Sequence, residues 1–169
     1  MIDSLGQVTG RVYEARGYLK IPQTAVYWMG LIPSARQSSL DLRSKMRSVA
    51  GLFLGAGIVN AGCDFILQKS RVIAGATLLK RGFSLTYWCH EQKYFSLQEP
   101  VAFRFKVAGT GLGLALHTHR FVQEWSLKNG IRVAISFLNL INYFCESMRL
   151  SIALLALKTS FIALSWLAP

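Results

Sequence analysis

The chain has 169 residues, enough for one ordinary domain or for a few membrane-embedded helices and a polar head. It carries a net charge of +11, yet only 16% of its residues are charged and 52% are hydrophobic, where a typical soluble domain is about 25% charged. So short a chain has much surface to cover, and a membrane or an obligate partner is the better place for the apolar excess. The cations are scattered, seven in 1–47, seven in 69–106 and five in 120–158. They punctuate apolar runs instead of forming a stripe, which argues against nucleic acid and for anionic lipid headgroups.

Residues 1–40 are polar to mixed, with Gly, Pro and Ser scattered through them, and read as a mostly irregular N-terminal segment. The apolar patch from Ala25 to Ile32 is closed by Pro33 and is too short to span a bilayer. SARQSSLD (34–41) reads as a linker ending in a helix N-cap at Ser38 or Ser39. A largely apolar, helical domain then fills 41–169, so the fold expected is all-α with helical hairpins.

Its first helix runs from Leu40 to about Leu67 and contains the most informative stretch, SVAGLFLGAGIVNAGC (48–63). These sixteen residues are uncharged and include four glycines. Each interior Gly costs a water-soluble helix about 1 kcal/mol relative to Ala, whereas in a bilayer small residues let helices approach closely. Arg43, Lys45 and Arg47 before the run, and Lys69 and Arg71 after it, are placed to hold lipid headgroups. A turn near 68–70 leads to a second amphipathic helix over 71–89, and EQKYFSLQEP (91–100) reads as a loop.

VAFRFKV (101–107) alternates like a strand, but it has no pairing partner and is read as the start of a helix over about 100–125. Lys128-Asn129-Gly130 reads as a break, followed by a helix over 131–145. The longest nearly apolar run, LSIALLALKTSFIALSWLAP, has its one charge, Lys158, at its centre. Lys at mid-span costs roughly 2.5–3.5 kcal/mol and each Leu, Ile or Phe returns roughly 0.3–0.6, so insertion needs a partner helix that screens Lys158. Asp64, the one acid within the apolar spans, pairs with Lys69 or Arg71 in one reading and with Lys158 in a sharper one.

Two small-xxx-small pairs, Gly51 with Gly55 and Gly109 with Gly113, place glycines on one helix face as packing surfaces. AGTGLG (108–113) departs from the dinucleotide fingerprint, with Leu114 where its third glycine belongs and no acid about 20 residues on. His117, His119, Cys89 and His90 are the only concentration of metal-ligand side chains. On a helix, positions i and i+2 diverge, so the reading preferred is polar residues at a helix end, with a metal centre ranked third. The three cysteines, Cys63, Cys89 and Cys145, give neither a disulfide framework nor a zinc signature. No nucleophile elbow, carboxylate dyad or cofactor motif is present, and the expectation is a non-enzymatic protein with no cofactor.

Two paired apolar lobes, Ile131–Cys145 with Leu150–Ala168 split by ESMR (146–149), and Ser48–Leu67 with Val72–Leu79, give the chain an outline that resembles small chlamydial inclusion membrane proteins. That family is exported by type III secretion into a host-derived vacuole membrane and has a bilobed hydrophobic region. The resemblance implies a protein that recruits partners through portions facing the host cytosol, and it carries over no functional residues. The sequence reading is therefore interaction or scaffolding at a bacterial or host-vacuole membrane, with anionic lipids and a protein partner or a second copy. The alternative is a soluble all-helical domain whose apolar excess forms a core or oligomer interface around a hydrophobic ligand.

Overall fold

A computed structural model describes residues 1–67 and 70–167. It contains α1 (Ile2–Met29), a short 3₁₀ turn (Pro33–Ala35), α2 (Arg36–Ile66), α3 (Arg71–Glu91), α4 (Glu99–Gln123), α5 (Leu127–Cys145) and α6 (Met148–Leu167). Each helix packs antiparallel on its neighbours in sequence, and α6 returns to α1. The six therefore close into a single ring. The all-α expectation stands.

The N-terminal segment differs from its sequence reading: it is the 28-residue helix α1, which continues through Pro22. The glycines that look like loop formers are its packing face. A methyl group placed on Gly6 would lie 3.1 Å from Cβ of Cys63, and one on Gly10 would lie 3.2 Å from Nδ2 of Asn60. The Asn60 amide donates to the Gly6 carbonyl at 3.1 Å, tying the two backbones together. Tertiary packing against α2 outweighs the poor helix propensity of the glycines.

Two boundaries also move. α2 starts at Arg36, not near residue 40, because Pro33 opens a 3₁₀ turn that leads straight into it. Ser39 is consequently inside the helix, 1% exposed, and donates to the Arg36 carbonyl instead of capping. The break expected at Lys128-Asn129-Gly130 lies earlier. Ser126 is the N-cap of α5, its hydroxyl accepting the Asn129 N–H at 3.2 Å, which puts the Asn-Gly pair in the first turn. Asn129 is buried and donates onward to the Glu124 carbonyl.

The helix over VAFRFKV is where the sequence reading has it, while the loop expected over 91–100 narrows to 92–98 because Glu99 and Pro100 already open α4, and the split expected over 146–149 narrows to 146–147. Pro100 sits in the first turn of α4, where its missing N–H costs nothing. Glu146 ends α5 in a left-handed conformation.

What the ring buries is unusual for a soluble bundle. The buried apolar side chains are Val26, Ala61, Cys63, Ala74, Ala102, Leu154, Leu155 and Phe161, half of them Ala or Cys. Large apolar side chains lie on the outside instead: Leu52 is 73% exposed, Val72 83%, Val122 72% and Phe137 51%. The accessible surface is 10874 Å², well above the roughly 8,300 Å² of a compact soluble monomer of this mass. Among the described residues, two helical segments, Pro33–Ile66 and Met148–Ser165, are long and apolar enough to cross a membrane.

Candidate functional site

The residues read as headgroup contacts fall at both ends of the apolar part of α2. Lys45 is exposed near its start, and Arg71 is exposed at the first turn of α3, beside the far end. Arg47 makes an ion pair with Glu91 at 3.7 Å. Arg43 has a local partner: its guanidinium lies 4.2 Å from the Tyr27 ring centre, donates to the Tyr27 carbonyl at 3.2 Å and presses against Gly30. Lys69 lies outside the described residues.

The glycine pairs separate. Gly109 and Gly113 both face α3, against Phe83 and Ser84 in one case and the Lys80 side chain in the other. Gly51 faces the Trp88 ring, whose Nε1 donates to the Arg47 carbonyl at 2.6 Å. A methyl on Gly55 would meet no heavy atom within 4 Å. Another glycine of α2 that packs tightly is Gly57, on a different side of the helix, against Tyr13 of α1. Spacing by four finds the pair; only the neighbours decide which members touch.

The histidines do not converge. His90 Nδ1 accepts the Leu97 N–H at 3.2 Å and its Nε2 lies 3.9 Å from Glu99, while His119 is exposed. Cys89 is half-buried and unbridged. Among the described residues, no three His, Cys, Asp or Glu side chains gather as a metal site. Nor does any ion pair among them join Asp64 to Lys158. Lys158 instead lines a cavity of about 790 Å³ between the α1–α2 junction and the α5–α6 hairpin, with Arg36, Arg43 and Asn142.

His117 belongs to a different grouping. Its Nδ1 lies 2.7 Å from the hydroxyl of Ser136 on α5. His117 is half-buried, with the cations Lys80, Arg132 and Arg120 nearby. One turn from Ser136, the Arg132 guanidinium is 5.0 Å from the centre of the Phe161 ring on α6. On the same ring, at 5.4 Å, lies the ammonium of Lys20 from α1. One turn back along α1, Arg16 shares the Tyr13 ring with Arg81 of α3, at 5.8 Å and 4.1 Å.

Arg81 also donates to the Gly57 carbonyl and, at 3.2 Å, to Asn60 Oδ1 on α2. Beside it on α3, Lys80 reaches across to Gly113, one turn from His117, which closes the circuit. All six helices thus contribute to one belt of linked contacts, in which Lys80, Arg81, His117 and Arg132 are half-buried while Arg16 and Lys20 are exposed. Composition hints at it, since the cations interrupt apolar runs, but only the fold shows that they share an interior.

Compared with known proteins, the chain matches no family model, no curated protein and no solved structure.

Proposed function

We propose that this protein is a non-enzymatic, membrane-embedded helical bundle that works by interaction, either with protein partners or with further copies of itself. The observation that carries the reading is the inversion of its surfaces. Large apolar side chains such as Leu52, Leu79 and Phe137 point outward, while Arg81, Lys80, His117 and Arg132 point inward. Charged groups within a bilayer face the bundle interior, and lipid takes the place of water on the apolar outside. α2 and α6 supply the crossing segments, with Lys45 and Arg71 at headgroup level. The resemblance to inclusion membrane proteins supports a host-vacuole membrane as one location, with partner recruitment as the task.

Nitroxide labels at single cysteines, introduced in place of Leu52, Phe137 and Lys45 in a chain whose own cysteines are replaced by serine, test the proposal in lipid vesicles. Labels at 52 and 137 are expected to collide with oxygen and to be shielded from a water-soluble nickel chelate, with the reverse at 45. Nickel accessibility at 52 and 137 equal to that at 45 would overturn it.

A further inference from the structure

The cations gathered along the ring have a cost that the protein alone does not offset. Lys80, Arg81 and Arg132, all half-buried, are joined by the exposed Arg16 and Lys20 of α1 through the linked contacts on Tyr13, Phe161, Gly113 and the His117–Ser136 pair. Among the described residues, no carboxylate lies within ion-pair distance of any of them. The nearest acid tied to the belt is Glu124, which accepts from Asn129 at 3.3 Å while Asn129 Oδ1 accepts from Arg132 at 3.2 Å. Hydrogen bonds to Gly57 and Asn60 and the faces of Tyr13 and Phe161 orient the cations but bring no negative charge.

Like charges brought together in a partly desolvated interior repel one another, and an anion of matching size removes both the repulsion and the desolvation deficit. Arginine supplies planar forks and lysine a point charge, the donor set used for phosphate oxygens. Access exists from the side. Where α6 returns to α1, a groove of about 370 Å³ is lined by Arg11, Gly17, Lys20, Phe161 and Ser165, with Glu14 its one carboxylate. Gly17 has no neighbour within 4 Å, which keeps the groove open beside Lys20.

We infer that the inner belt is a binding site for a phosphate-class anion, entered through the α1–α6 groove and held chiefly by Lys80, Arg132 and Lys20, with Arg81 and Arg16 completing the positive field. A ring N–H of His117 can be donated to the same anion or to Ser136. The site stands independently of membrane insertion, because it is built from contacts between the helices of the ring.

Isothermal titration of the full chain purified in detergent, with inorganic phosphate and then pyrophosphate at low chloride, tests the inference. One saturable site per chain is expected, tighter for pyrophosphate. Lys80→Gln and Arg132→Gln should each weaken it at least tenfold, and Lys93→Gln, exposed in the loop between α3 and α4, should leave it unchanged. Thermal unfolding supplies a second measurement on the unaltered chain: pyrophosphate should raise its Tm, and a variant lacking Lys80 should melt higher than the unaltered chain without the anion yet gain nothing from it. Absence of saturable binding with both anions would overturn the inference. So would affinities unchanged in both belt variants, or a loss in Lys93→Gln equal to theirs.

Discussion

At the scale of single residues, glycine means different things at different places on one helix. Gly51 and Gly55 share a face by spacing, yet only Gly51 meets a neighbour, the Trp88 ring pinned by its bond to the Arg47 carbonyl. Gly51→Ala should therefore destabilise by about 1–3 kcal/mol through overpacking. Gly55→Ala, with nothing within 4 Å, should stabilise by about 0.5–1 kcal/mol through helix propensity alone. Thermal unfolding of both variants in detergent gives the two shifts, and shifts of the same sign would contradict the packing described. Gly6 and Gly10 show the opposite lesson. In sequence they look like punctuation, but against Cys63 and Asn60 they are points of close approach of α1 to α2.

At the scale of elements, the helices from Arg71 onward were legible because apolar periodicity and the turn residues agree. The N-terminal helix was not, since Pro22 and three glycines contradict a helix locally and only its partner α2 makes one worthwhile. The break near 128 was misplaced because Asn-Gly is a turn signal, whereas here Ser126 caps first and absorbs the pair into a helical turn. Lys158 shows how an element's weakness is handled by its surroundings: it opens onto the cavity between α1–α2 and α5–α6 instead of onto the outer face. Lys158→Leu should improve insertion of α6 by about 3 kcal/mol. Glycosylation tags on either side of α6 in the full-length chain read the inserted fraction, and an unchanged fraction would show that the cavity already relieves the charge.

At the scale of the whole molecule, hydropathy shows how much apolar surface there is but not which way it faces. The ring supplies the direction. Small and polar groups such as Ser39, Asn129, Ser136 and Ala61 are buried, and Lys80, Arg81 and Arg132 are half-buried between helices, while many bulky apolar side chains are left outside. No sequence periodicity could have assembled the cationic belt, because its members lie more than a hundred residues apart and meet only when α6 returns to α1. The same inversion is what a bilayer would reward and water would penalise. The most direct measurement is fractionation of cells expressing the full chain, with the membrane pellet washed first in alkaline carbonate and then in detergent. The account predicts release by detergent alone. Recovery in the soluble fraction, folded and monodisperse, would contradict it.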